Sequence, residues 1–350
     1  MNKLSREQRC AVIRCLVEGC SIRSTGRITG ASKNTIQKLT RELGEACLAH
    51  QDKALRLLPC KRIECDEIWN FCYAKDKNLP DEMRHMQGVG SMWTWTAICA
   101  ETKLVLSWRL GNRDAANAWA FIGDVSDRLR HRVQLTTDGN RLYVEPIEEY
   151  MGGMVDYAML IKKYGTSDDE TKYSPGKCLG TEKRQIDGCP DESLVSTSYA
   201  ERQNLNIRMQ NRRFTRLTNA FSKKAEMLAY SIAIMFCYHN FVRVHQTLKT
   251  TPAVKAGIAA RRWTIEDMVN LIPEKSRRKA APTKSGIQTD PLPPFRRICI
   301  HEAILRTMKS IVATLPGHFR HVLPARQLSD CFAPSWGRQF QPQRRADGEA

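Results

Sequence analysis

The chain has 350 residues, room for two or three domains and far more than a peptide-sized module or a disulfide mini-protein needs. Its composition, 42% hydrophobic and 26% charged, is globular, and 55 Lys and Arg against 37 Asp and Glu leave a net charge of +18. That surplus points first to nucleic acid, and second to a membrane surface, as the partner.

The first residues, Met1 to Glu7, hold no apolar run of signal-peptide length. The most apolar later stretch, Met227 to Val242, is interrupted by Tyr230, Ser231, Tyr238, His239 and Asn240. A cytoplasmic protein is expected. Thirteen scattered cysteines with no Cys-x-x-Cys pair read as reduced thiols, and the five-residue spacing of Cys10, Cys15 and Cys20 fits no common metal template.

In chain order, Ser5 and Gln8 form a capping box before the apolar stripe Val12, Ile13, Leu16 and Val17, which predicts a helix over 6–18. A short helix over 21–28, broken at Thr29-Gly30, precedes a third that Ser32 caps and that runs from Lys33 to about Cys47. Helix, short helix, turn, helix is a helix-turn-helix outline. It places Ser32, Lys33, Asn34, Gln37, Lys38 and Arg41 where such a recognition helix meets DNA. The competing reading is a small helical oligomerisation domain, which the basic residues Arg23, Arg27, Lys33, Lys38 and Arg41 disfavour.

After a connection at about 50–59 the period changes. Strands are predicted over 61–71, 88–99, 104–110, 133–137 and 155–164, with a helix over 114–130. Residues 165–194 read as a polar loop, and 198–244 as helical, giving an α/β domain with late helices. Trp93, Trp95 and Trp108 read as core aromatics of the sheet. Beyond Lys275 lie eight of the fifteen prolines and thirteen Lys and Arg against five acids, the composition of a basic tail of low order with one candidate helix over 297–314.

Three acids stand out. Asp66 sits mid-strand, and alternation places Glu64, Asp66 and Ile68 on one face and Cys65, Glu67 and Trp69 on the other. Asp138 ends its strand before Gly139-Asn140, where open α/β sheets hold ligands; alone it would also pass as an ordinary turn-opening Asp. Glu201 lies near the start of a helix from Ser198, with Arg208 nearly two turns later on the same face. Residues 202–224 then carry Arg202, Arg208, Arg212, Arg213, Arg216, Lys223 and Lys224 and no acid. A charge run is usually a solvated face, but acids to hold Mg²⁺ beside bases to grip a strand suit phosphodiester chemistry. His239 and His245, six apart, face different ways on a helix, so positioning or DNA contact fits them better than metal ligation.

Asp66-Glu67-Ile68-Trp69, Asp138-Gly139-Asn140 and Tyr199-Ala200-Glu201-Arg202-Gln203-Asn204 with Arg208 resemble the DDE motif of bacterial insertion-sequence transposases, closest to the insertion-sequence-one type. The stretch Tyr238 to Leu248, followed by Thr251-Pro252-Ala253, is similar to the segment after the catalytic Glu in many of them. The resemblance spans about residues 5–272. It implies a ribonuclease-H-like catalytic domain over 51–275, between the helix-turn-helix domain read over 1–50 and the tail read over 276–350. Carried over by position, it makes Asp66, Asp138 and Glu201 the metal-binding acids and Arg208 the accompanying base; the basic run itself puts Arg202, Arg212, Arg213 and Arg216 on DNA. Two Mg²⁺ ions, replaceable by Mn²⁺, would serve cleavage at the terminal inverted repeats of an element and joining to target DNA, by a homo-oligomer on double-stranded DNA at the nucleoid. The chain departs from many relatives in having no cysteine zinc finger before the helices, and its tail matches nothing in the family. A helix-turn-helix regulator with an inactive sheet domain, or a nuclease of the same fold, are the alternatives.

Overall fold

The computed structural model describes residues 4–165, 177–216 and 218–273. The expected tail over 276–350 and its candidate helix lie outside the described residues.

Three helices open the chain, α1 (Arg6–Val17), α2 (Ile22–Thr29) and α3 (Lys33–Ala54). Each start is fixed by a serine hydroxyl that accepts a backbone N–H three residues on: Ser5 from Gln8 at 3.2 Å, Ser21 from Ser24 at 3.0 Å and Ser32 from Thr35 at 3.2 Å. The Gln8 side chain returns the bond to the Ser5 N–H at 2.9 Å, completing the capping box. Gly30, at φ 72°, ends α2 in the left-handed conformation that glycine adopts without penalty. The third helix runs past Cys47, because Cys47 and Gln51 are buried and the Gln51 amide donates to the Ala233 carbonyl at 3.1 Å. Tertiary packing there carries the helix beyond the end that the sequence suggests.

A six-stranded mixed sheet follows, built from β1 (Arg62–Cys72), β2 (Gly90–Cys99), β3 (Val105–Gly111), β4 (Val133–Thr137), β5 (Val155–Gly165) and β6 (Lys177–Asp187). The spatial order is β3-β2-β1-β4-β5-β6, with β1, β4 and β5 mutually parallel and the other neighbours antiparallel. Helices α4 (Ala115–Arg128) and α5 (Val144–Met151) link the parallel strands. After the sheet come α6 (Ser198–Gln210), α7 (Ala225–Cys237), α8 (Pro252–Lys255) and α9 (Ile265–Val269). Three antiparallel strands leading into parallel ones joined by helices are consistent with the ribonuclease-H-like arrangement that the resemblance implies.

Two apolar layers fix the faces of the sheet. Odd-numbered β1 residues Ile63 and Cys65 pack with Phe121 and Val125 of α4, whereas Ile68 and Cys72 pack with Ile207 of α6 and Phe236 of α7. The first layer also contains Val12, Ile36, Leu43 and Cys47, so the opening helices share a core with the sheet. Contact between α3 and α7 is close: a Cβ on Gly44 would lie 2.4 Å from the Tyr230 Cβ. Trp95 is fully buried, and Trp93 and Trp108 lie partly buried against the core, as core aromatics should.

Two expectations are corrected. Residues 177–187 of the stretch read as polar loop form β6, which pairs along β5 from Tyr157–Asp187 outward. An edge strand needs main-chain pairing on one side only, so its sequence carries no apolar alternation to announce it. The basic run after Glu201 is not one helix either. Helix α6 stops at Gln210, and Arg212, Arg213 and Arg216 sit on a short 3₁₀ turn and loop before α7.

Residues 238–242 form a π-helical turn with His239 and Asn240 buried. His239 Nε2–H donates to the Lys103 carbonyl at 2.9 Å, and Asn240 bonds both the N–H and the C=O of Val105 at 3.0 and 2.9 Å. His239 is therefore buried and positions the start of β3. Burial lowers its pKa to about 4, so it stays neutral. No helix among the described residues is long and apolar enough to cross a membrane, and all described cysteines are free thiols.

Candidate metal-binding active site

Register places the first two acids side by side. Parallel pairing of β1 with β4 ends at Cys65–Thr137, and the next residue on each chain is Asp66 and Asp138. Because β4 stops there while β1 continues to Cys72, no strand covers that flank of β1 beyond the pairing. Glu67, although on the opposite face of β1, reaches the same space. Carboxylate oxygens of Asp66, Glu67 and Asp138 lie within 4.8 Å of one another, the grouping among the described residues that can hold a metal ion.

Polar neighbours orient these carboxylates. Asp66 Oδ2 accepts from the Asn204 amide at 2.7 Å, and its Oδ1 accepts from the Glu67 N–H at 2.8 Å. Glu67 Oε1 accepts from the Asn140 amide at 2.5 Å, and the Asn140 N–H donates to Asp138 Oδ1 at 3.0 Å. The Arg113 guanidinium lies 3.8 Å from both Glu67 and Asp138, and 5.0 Å above the Trp93 ring. Burial is graded, from 1% exposure for the Glu67 side chain to 39% for Asp138.

Burial pushes the Asp66 pKa up to about 7, with the charges of Asp138, Glu67 and Glu201 adding to it against the Glu67 N–H bond. Burial and the Asp138 charge push Glu67 up to about 7, against Arg113 and Asn140. Such acids hold protons near neutrality and release them to a cation. Three hard oxygen donors in a partly dry pocket suit a divalent ion of the Mg²⁺ or Mn²⁺ kind.

Glu201 stands outside that group. In the first turn of α6, it accepts from the Thr197 hydroxyl at 2.6 Å and pairs with the Lys162 ammonium from β5. Burial opposes the Lys162 charge, but the bond to Glu201 outweighs it, raising the lysine pKa. The helix itself is anchored by another acid: Glu64 Oε2 accepts the Tyr199 and Ala200 N–H groups at 2.7 and 3.0 Å, capping α6 from β1.

Arg208, in the last turn of α6, is half-buried, and burial followed by the Arg216 charge lowers its pKa. Among the described residues it pairs with none of the acids. Arg202 and Arg216 are exposed and Arg212 half-buried, while the Arg213 guanidinium donates to the Ser222 hydroxyl. At the other end of the chain Lys33, Asn34 and Lys38 are exposed, Gln37 is half-buried, the Ser32 hydroxyl is occupied by its cap, and Arg41 lies 3.9 Å from Glu226.

The structure thus joins Asp66 to Asp138, adds Glu67, and stands Glu201 on the adjacent helix. Asn140 and Asn204 lie inside the motifs that carried the resemblance, so their positions were marked in the sequence although their roles were not. Glu64, Arg113 and Lys162 had no local signal.

No protein-family model matches the chain, and no curated protein matches its sequence. Among solved structures, the cryo-EM structure of a piggyBac transposase synaptic complex with hairpin DNA is similar at 9% identity and a TM-score of 0.34, over 91% of this chain and 84% of that one. The crystal structure of the Mos1 strand transfer complex is similar at 9% identity and a TM-score of 0.24, over 68% and 78%. Neither likeness carries the functional argument, which rests on the acids.

Proposed function

We propose that this chain is a DDE-type transposase of the insertion-sequence-one kind, cutting DNA at the ends of an element and joining those ends to target DNA. The observation that carries the proposal is the convergence of Asp66 and Asp138 from adjacent parallel strands, with Glu67, into a group able to hold a cation. Glu201, on a helix capped by the same strand, is the third acid of the motif.

In this reading Asp66, Asp138 and Glu201 hold Mg²⁺ or Mn²⁺, and Glu67 adds a fourth carboxylate. A divalent ion held by these carboxylates would supply the Lewis acidity that in-line phosphodiester attack by a water or a 3′-hydroxyl needs. Asn204 and Asn140 fix the orientation of Asp66 and Glu67, so these oxygens need little reorganisation when a cation arrives. Lys162 pairs with Glu201 and would have to give up that carboxylate for Glu201 to act as a ligand. Arg208 sits beside the chemistry and Arg202, Arg212 and Arg216 along the DNA backbone, while α2 and α3 form the reading head with Lys33, Asn34, Gln37, Lys38 and Arg41 on the duplex. A homo-oligomer on DNA follows from the need to hold two ends.

Incubating the full chain with a labelled element end and supercoiled plasmid in Mg²⁺ tests this. A transposase yields nicked ends and joined products. Nicks without joining identify a nuclease, and binding without either identifies a regulator.

A further inference from the structure

A cleft of about 700 Å³ opens between the α1–α2 turn, the first turns of α3, and the chain from the end of α6 into α7. Its charged lining is entirely basic: Arg23, Lys33, Arg212, Arg213, Lys223 and Lys224, with no acid. Arg213 is bonded to Ser222, whereas the other five form no ion pair or side-chain hydrogen bond among the described residues. These cations come from two stretches far apart in sequence, 23–33 and 212–224, and folding gathers them on one opening. The floor is apolar, from Leu16, Val17, Ile234 and Met235. Of the buried polar side chains in the lining, Thr40 and Asn211 are hydrogen-bonded, whereas Gln210, 7% exposed, has an Nε2 without a partner among the described residues.

Unpaired cations over a low-dielectric floor concentrate a positive field, and a buried amide N–H₂ without an acceptor is costly until one arrives. Both observations ask for the same ligand chemistry, an oxyanion rich in acceptors. The cleft extends from Arg23 on α2, across Lys33 and Gln37 at the start of α3, to Lys223 and Lys224 before α7, a spread suited to a run of phosphates rather than a single anion.

We propose that this cleft seats the phosphate backbone of a DNA strand, with Arg23, Lys33, Arg212, Lys223 and Lys224 on the phosphates and Gln210 donating to a backbone oxygen. The inference rests on the transposase reading for its choice of DNA. It adds a seat in which the opening helices and the loop after Glu201 grip one strand together.

The test measures binding of the full chain to a fluorescein-labelled duplex by anisotropy over a salt series, without divalent metal. Lys223→Gln/Lys224→Gln should make the plot of log K against log salt shallower by about 1.8, twice the ~0.9 expected per phosphate contact. Arg23→Gln, across the cleft, should reduce it by about 0.9, which keeps the proposal testable if the double variant misfolds. Lys53→Gln/Lys61→Gln, exposed cations outside the cleft, should leave the slope unchanged. Unchanged slopes for the cleft variants overturn the proposal. So does a cleft effect confined to phosphatidylglycerol vesicles or to competition by inorganic phosphate. Metal-dependent nicking scored separately distinguishes the failures: nicking with unchanged slopes removes the cleft and leaves the active site, whereas altered slopes without nicking do the reverse.

Discussion

Asp66 and Glu67 are neighbours on opposite faces of one strand, yet both reach the flank that β4 leaves open, and both are pushed up to a pKa of about 7. An unfolded chain releases the Asp66 proton near its usual value of about 4. Between that pH and 7 the native state therefore holds the proton more tightly than the unfolded one, and native stability falls as pH rises, levelling off above 7. Asp66→Asn removes the cost. In EDTA the variant should be more stable than wild type at pH 8, by on the order of 2 kcal/mol once the repulsion shared with Glu67 is discounted, and should lose that advantage at pH 4. Thermal unfolding at the two pH values checks this; an advantage at pH 4 alone would reverse the sign. Asp66 and Asp138 were legible in the sequence because each lies in a recognisable motif. Glu67 stands in the same motif as Asp66, but alternation assigns it to the other face and does not say where the neighbouring strand ends.

Helix α6 depends on β1 for its position. Its N-cap residue, Thr197, makes no side-chain cap bond, and two of the free N–H groups at that end are taken instead by the buried carboxylate of Glu64. Burial raises the Glu64 pKa, opposed by those same N–H bonds from Ala200 and Tyr199. Glu64→Ala should cost ~1–3 kcal/mol by leaving buried donors unpaired. It should also slow cleavage more than it weakens DNA binding, because Glu201 rides on the first turn of α6. Glu64→Gln, which keeps an acceptor oxygen, should restore most of both, as unfolding curves and Mg²⁺-dependent nicking rates would record; equal losses for the two variants would remove the cap from the account. Capping serines and apolar stripes made α1 to α3 legible, and the change of period after about residue 60 did the same for β1 to β5. No such pattern marks β6, whose pairing is main-chain, nor the cap of α6, whose acceptor lies 135 residues away.

At the scale of the molecule, the opening helices and the sheet are not separable by their cores. Ile36, Leu43 and Cys47 belong to the same apolar cluster as Phe121 and Tyr143, Gln51 bonds the Ala233 carbonyl, and the Tyr238 hydroxyl donates to Glu18 at 2.7 Å. A fragment of residues 1–54 would expose the α3 stripe that α7 covers. By circular dichroism it should show little stable helix, whereas residues 1–273 should unfold in one transition; a cooperatively folded fragment would show that the helices carry a core of their own. The shared core was illegible because an apolar face in sequence names no partner. It also ties the basic cleft to the acids, since α6 leads from Glu201 directly to Gln210 at the cleft. The central claim is that Asp138 and its neighbours hold the ions for phosphodiester chemistry. Nicking of supercoiled plasmid in Mg²⁺ by wild type and by Asp138→Asn, with DNA binding measured on the same samples, tests it most directly. Wild type should nick, and the variant should lose at least about a hundredfold in rate, or ~2.7 kcal/mol of barrier, at unchanged DNA affinity. Nicking by Asp138→Asn at the wild-type rate would contradict it.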